Sequence, residues 1–345
     1  MSRKRDEYCI MPFLSRTPDI TCERPIFSLV LGNTVLSTVP GVSGAGPSPE
    51  KTLLTPILDA ELVLTGAVSS MPFGPNTPTG CPTPATITSA MLSLLGIPPI
   101  FINAGLSHPP TVPCIDVYGE TGRDPRKGDA VPRAHELFLK GKYLGRLFEH
   151  YSDLLVLGEC VPGGTTTALC VLQGLGYEAR VSSSFVENPH HIKEEISRQV
   201  QERIRARGIT DPLDIIRYTG DPMLAVGAGI ASAYRGQCIL AGGTQMLALA
   251  AVLRGMDLAI PEIATTAYVR DDPSANFEKT LEAIGSSAYF VDPDFGNLGH
   301  SGLARYCIGE VKEGMGAGGA MFLATILGHS PEEITGTILE FIRNY

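Results

Sequence analysis

The sequence predicts an α/β fold: a doubly wound, mainly parallel sheet with helices on both faces, in a single domain spanning residues 1–345. Three observations lead there. Apolar strand-like runs alternate with helix-like segments almost throughout the chain. Its 345 residues, 43% hydrophobic and 18% charged, suffice to bury a large core. No Gly/Ser or Pro-rich low-complexity linker divides it.

Residues 26–31 read as the first strand, followed by the Gly-rich loop PGVSGAGPSPEKT (40–52) and a helix. ELVLTG (61–66) reads as a strand and PATITSAMLSLLG (84–96) as a helix. Strands follow at 100–105 and 114–119, then an amphipathic helix over 134–151. Residues 153–158 form a short apolar strand that runs through Gly163-Gly164-Thr165-Thr166-Thr167 into a helix carrying Ala168, Leu169, Leu172 and Leu175. Later strands are expected at 177–183, 237–243, 264–269 and 288–293. Asp211-Pro212 and Asp221-Pro222 each place a capping carboxylate before a proline at a first helical position. In HIKEEISRQVQERIRAR, Ile192, Ile196, Val200 and Ile204 form one apolar stripe, Glu194 and Arg198 are spaced for an i,i+4 pair, and the remaining charge reads as a solvated face. The irregular stretch 70–84 reads as a loop over the sheet edge or a ligand site. The whole is a Rossmann-like arrangement.

Composition narrows the function classes. A net charge of −9, with no basic block beyond Arg3-Lys4-Arg5, argues against a nucleic-acid surface. The eight cysteines include no CxxC pair and several lie in apolar runs, the pattern of buried free thiols in a reducing compartment. The seven histidines show no metal-ligand spacing, and His190-His191 reads as a helix start, so no metal site is expected. There is no signal-peptide pattern and no apolar run approaching the ~18 residues of a membrane span; a cytoplasmic protein is expected.

In an open parallel sheet, ligands gather beyond the carboxyl ends of the strands. Three segments put glycines there: ECVPGGTTT with Gly163 and Gly164, AGGTQ with Gly242, Gly243 and Thr244, and VKEGMGAGG with Gly314 and Gly316. Glycines let the backbone approach a ligand, and amides at a helix start attract anions. Two strand-Gly-Gly-Thr-helix turns suggest a held phosphate, with Thr165 and Thr166 beside it, although neither GxGxxG nor GxxxxGK[ST] is present. Glu313, alone among glycines, fits either an exposed loop carboxylate or a general base in a dry pocket. Glu159 either caps its turn or faces the ligand.

These segments resemble the nicotinate-nucleotide–dimethylbenzimidazole phosphoribosyltransferase family. GECVPGGTTTA is similar to that family's G-E-M-G-I-G-N-T-T-x-A loop, and VKEGMGAGGAMFLATI to its L-G-E-G-S-G-A-A segment. DPLDIIRYTGDPMLAVGAGIASAYRGQCILAGGTQMLALA resembles the stretch between, and TPATITSAMLSLLGIPPIFINAG the part carrying V-T-x-Q-M. Order and spacing agree from about residue 150 onward, a core of residues 150–330, whereas residues 1–75 give no match. The resemblance implies a smaller helical lobe, a homodimer, and transfer of phosphoribose from nicotinate mononucleotide to a benzimidazole-type base without a cofactor. It places Glu313 on the catalytic glutamate, puts Gly163, Gly164, Thr165 and Thr166 on the phosphate loop, and assigns Thr83, Thr88 and Ser89 to the base pocket. The departing pyridinium leaves as a neutral ring, so no pyrophosphate-metal clamp is needed.

Three departures mark a divergent branch. GIGN is VPGG here, the glutamine of V-T-x-Q-M is Ala90, and ISTAAAL has become GGTQMLAL. The acceptor is therefore expected to be a benzimidazole-type or other heteroaromatic base. A mononucleotide-binding protein without chemistry is the alternative.

Overall fold

The computed structural model describes residues 13–71 and 74–343. Among them, seven strands form one parallel sheet in the order β3-β2-β1-β4-β5-β6-β7. These are β1 (Pro25–Gly32), β2 (Pro99–Gly105), β3 (Cys114–Asp116), β4 (Leu154–Cys160), β5 (Gln237–Ala241), β6 (Glu262–Thr266) and β7 (Ala288–Val291). The helices are α1 (Thr55–Thr65), α2 (Pro84–Leu95), α3 (Ala134–Glu149), α4 (Gly164–Gly174), α5 (His190–Arg207), α6 (Pro212–Thr219), α7 (Pro222–Ala233), α8 (Thr244–Gly255), α9 (Ala267–Arg270), α10 (Phe277–Ile284), α11 (Ala317–Ile326) and α12 (Pro331–Ile342).

The strands are apolar on both faces, as a sheet covered twice requires. Val30, Leu155, Leu157 and Leu240 point into a core closed by α3, α4, α6, α7, α8 and α10. Their sequence neighbours Leu29, Leu154, Val156 and Ile239 point into a second core closed by α1, α2, α11 and α12. Helix α5 lies outside α4, with Ile196, Val200 and Ile204 packed on Cys170. Strand order reverses between β1 and β4, which opens a crevice beyond their carboxyl ends.

Two expected strands are absent. Residues 61–66 belong to α1, which starts at Thr55-Pro56 and ends on Gly66 at φ +77. An apolar run this short fits a helix as well as a strand, and Pro56 at the helix start with Gly66 past its end settles it. Residues 177–183 form no strand either. Their alternation is real, with Ala179 and Val181 buried, but side chains take the place of a partner strand. Asn276 Oδ1 accepts from the Arg180 amide, Asn188 Nδ2 donates to Val181 O, Lys193 Nζ to Ser182 O and Lys312 Nζ to Ser183 O. On α5, Arg198 pairs with Glu195 and Glu202 rather than Glu194. The described cysteines are free thiols, with Cys81, Cys160 and Cys170 buried. Among the described residues, no helix is long and apolar enough to cross a membrane. Arg3-Lys4-Arg5 lies outside the described residues.

Glycines bring α3 and α7 together at backbone distance. A Cβ on Gly229 would stand 2.1 Å from Phe138 O and 2.9 Å from the Cα of Gly141. Gly229→Ala is expected to cost about 1–3 kcal/mol through overpacking. Gly336→Ala, on the exposed side of α12 with nothing within 4 Å, should stabilise by up to about 1 kcal/mol from helix propensity. Thermal melts of the pair check this: the first should melt lower than wild type and the second slightly higher, and equal shifts would refute the packing assignment.

Candidate active site

A cavity of about 520 Å³ opens beyond the carboxyl ends of β4 and β5, beside the β1/β4 reversal. Its walls come from the loop after β1 with the start of α1 (Val42 to Asp59), the 74–84 loop, the β4–α4 and β5–α8 turns, Ser182–Ser184 and the segment 311–315.

The two Gly-rich turns meet the glutamates here. A Cβ on Gly242 would lie 3.6 Å from Glu159 Oε1, and one on Gly243 3.7 Å from Glu313 Cβ. Glu313 therefore stands over the same turn that flanks Glu159, although 154 residues separate them in sequence. Its carboxylate is fixed from three segments. It accepts from the Thr266 amide (3.0 Å) and Thr265 Oγ1 (3.2 Å) at the end of β6, from its neighbour Gly314 (3.1 Å), and from the Gly318 amide (3.2 Å) at the start of α11. Gly318 and Gly319 seat α11 directly on the sheet, since a Cβ at either would fall within 2.4 Å of Thr265 or Ala241.

Glu159, Gly163, Gly164, Thr165, Gly243, Thr244, Glu313, Gly314 and Thr83 line the cavity. Thr166, Gly242, Gly316, Thr88 and Ser89 do not. Thr166 is fully buried, while Thr88 and Ser89 donate to Met315 O and Leu62 O inside the core. Gly242 supports Glu159 from behind, and Gly316 at φ +70 packs beneath the Glu313 loop on Phe27 and Ala241. Gly164 is bare for another reason than ligand approach: the Gln245 amide lies across it, where a Cβ would be 2.1 Å from Cδ. Gln245 Nε2 in turn donates to the buried Asp221, which also accepts from Thr167 Oγ1 (2.5 Å) and caps α7 at Leu224. Two of the α4 turn's amides are engaged internally, Gly164 with Val161 O and Thr166 with Gly163 O.

Two buried lysines stand near that turn. Lys193 of α5 donates to Thr165 Oγ1 (3.0 Å) and Ser182 O (2.8 Å), fully out of solvent behind the cavity wall. Lys312 lines the cavity, donates to Ser183 O (2.9 Å) and pairs with the buried Asp272 at 3.2 Å. Lys193 sits in the helix whose charge reads as a solvated face. A second stripe was the available signal: Lys193, Ser197 and Gln201 recur every four residues beside the apolar one, and all three are buried.

Opposite in sign are the carboxyls. Burial raises Glu159 to about 8, helped by the neighbouring Asp221 and Glu313 charges. Burial raises Asp59 on α1 to about 7, Asp221 to about 6, and Glu313 to about 7 in spite of its four donors. Burial lowers Lys193 to about 7. The one grouping of metal-ligating types among the described residues, His135, Asp211 and Asp214, lies away from the cavity, with Asp211 capping α6 and Asp214 beside Arg217.

All four carboxyls lie above the ordinary range, so the folded chain holds protons that the unfolded chain has released. Unfolding free energy then falls as pH rises through about 6 to 8. Lys193 acts with the opposite sign, but only above about pH 7, where it is neutral in the fold and charged when unfolded. Melting temperature is therefore expected to drop between pH 5 and about 7 and to flatten above. A rise across that interval would contradict the assignment.

No protein-family model matches the chain. It is 44% identical over 324 residues to a UPF0284 protein of Thermococcus gammatolerans, covering 92% of this chain and 97% of the relative. It is 42% identical over 329 residues to one of Pyrococcus furiosus (93% and 98% covered) and 41% over 331 residues to one of Methanosarcina mazei (92% and 94%). In structure it is similar to the nicotinate-nucleotide–dimethylbenzimidazole phosphoribosyltransferase of Thermus thermophilus, with TM-score 0.57 at 18% identity over 92% of this chain and 86% of that one. CobT from the same organism gives TM-score 0.60 at 16% identity, covering 92% and 84%.

Proposed function

The chain belongs to the UPF0284 family, and from its structural similarity to the nicotinate-nucleotide–dimethylbenzimidazole phosphoribosyltransferase of Thermus thermophilus and the groups that line its cavity we propose that it is a phosphoribosyltransferase. It moves phosphoribose from nicotinate mononucleotide to a ring nitrogen of a heteroaromatic base. The observation that carries this reading is that Glu313 and the lysine-backed Thr165 turn open into one cavity.

The 5′-phosphate sits against Thr165, Ser182–Ser184 and Lys312, with Lys193 orienting the Thr165 hydroxyl. This holds the anomeric carbon toward the carboxyl end of the cavity. There the bond from that carbon to the pyridinium nitrogen breaks, its electron pair stays on nitrogen, and nicotinate leaves. The acceptor's ring nitrogen forms the new bond, and Glu313 takes the proton from the acceptor's other nitrogen. A carboxyl near 7 suits that task at neutral pH. Glu159, raised higher, stays largely protonated and places no second full charge beside it. The Glu313 charge would also favour the positive charge that develops on the ribose carbon as the bond breaks. The expected soluble homodimer belongs to this proposal.

One observation favours a binding protein without chemistry: both Glu313 oxygens accept amide protons and thereby anchor α11. Nicotinate release separates the two readings. Incubated with nicotinate mononucleotide and benzimidazole, wild type should release nicotinate, with kcat rising through about pH 7. Glu313→Gln should lower kcat by about 10²–10⁴-fold while mononucleotide affinity persists. Binding without release under any ring acceptor would favour the second reading. Lys193→Met should raise the mononucleotide KM by about 10-fold or more, from loss of a charged hydrogen bond, with kcat changed little. An unchanged KM would remove Lys193 from the phosphate end.

A further inference from the structure

One cavity carboxyl has no part in the proposed transfer. Asp59 projects from α1 into the cavity, and its hydrogen-bond partner is the Cys160 thiol at a long 3.7 Å. Leu54, Leu58 and Val68 line the same wall. Asp59 is half-buried at the cavity surface, and with so weak a donor from the protein its oxygens remain able to accept from a ligand that offers one. Alkyl substituents on the acceptor offer none and would bury it further.

We propose that Asp59 is a specificity-determining residue that selects an acceptor base carrying a second hydrogen-bond donor, an exocyclic amine or a ring hydroxyl, on the edge away from the attacking nitrogen. This rests on the reading of the cavity as an acceptor site. The ring N–H of a benzimidazole is taken up by Glu313, so a dimethyl-substituted ring has nothing left to offer Asp59. An amino- or hydroxyl-substituted ring does. Burial holds Asp59 near 7, so at neutral pH it exists in both protonation states. It can accept from a hydroxyl, or in its acid form pair with the ring-nitrogen and amine edge of an aminated heterocycle through two parallel hydrogen bonds. Ala90 is fully buried inside α2 and does not line the cavity, so a side chain there offers the cavity no polar group. Asp59 supplies one from the helix packed against it.

Equilibrium binding tests this independently of turnover. Adenine, 5-hydroxybenzimidazole and 5,6-dimethylbenzimidazole are titrated into wild type, Asp59→Asn and Asp59→Leu, with folding checked by mononucleotide binding. Wild type should bind the two donor-bearing bases at least about 10-fold more tightly than the dimethyl base. Asp59→Leu should abolish or invert that ratio, and Asp59→Asn, which keeps an acceptor, should retain part of it. A ratio near one in wild type, no binding of any base, or equal losses for all three bases in Asp59→Leu would overturn the proposal. Selectivity that vanishes in Asp59→Leu without nicotinate release from any base would leave this assignment standing and defeat the transferase reading.

Discussion

The site depends on one buried carboxylate that it never exposes. Asp221 caps α7, accepts the Thr167 hydroxyl of α4 and holds the Gln245 amide of α8. Three helix starts thus converge on a single side chain with no solvent exposure. Gln245, so held, lies across Gly164 and fixes the spacing between the β4–α4 and β5–α8 turns. Those turns carry Glu159 and the glycines that abut Glu313. In a low-dielectric interior such a network is stable only when fully satisfied, which makes its geometry all-or-none.

The cavity built on this frame carries both signs of charge. Lys193 and Lys312 donate to serine carbonyls, Lys312 pairs with Asp272, and Glu313 is held by main-chain amides, so these groups are fixed within the fold rather than carried on mobile surface chains. Such fixed charges need no reorganisation when a ligand's own charge shifts.

Much of this was legible in the sequence, for identifiable reasons. Strands β1, β4 and β7 are mostly apolar runs, and the Asp-Pro caps at Asp211 and Asp221 each fix a helix start by local chemistry alone. Glu313 stood out because a charged residue among glycines has no packing explanation within its own segment. What escaped depends on long-range partners. Residues 177–183 alternate like a strand, yet their carbonyls are claimed by lysines from α5 and the 311–315 segment. Lys193 hid inside a charged helix because burial of a cation is decided by what lies across from it. Gly164 lines the cavity as its loop suggests, but the close approach that keeps it bare is that of Gln245, and no pattern within its own loop points to that partner.

The seat of α11 has a further implication. Where Gly318 and Gly319 touch the strand backbones of β5 and β6, no side chain of any size can be accommodated. The height of Glu313 above the sheet is thus set by main-chain thickness, the least mutable dimension a protein has. The wall formed by α1 and the start of α2 has no comparable lock, being side chain against side chain around Leu58, Asp59 and Thr83. Side-chain substitution is then confined to that wall, and relatives whose cavities differ in what they accept should share the floor while differing in the roof.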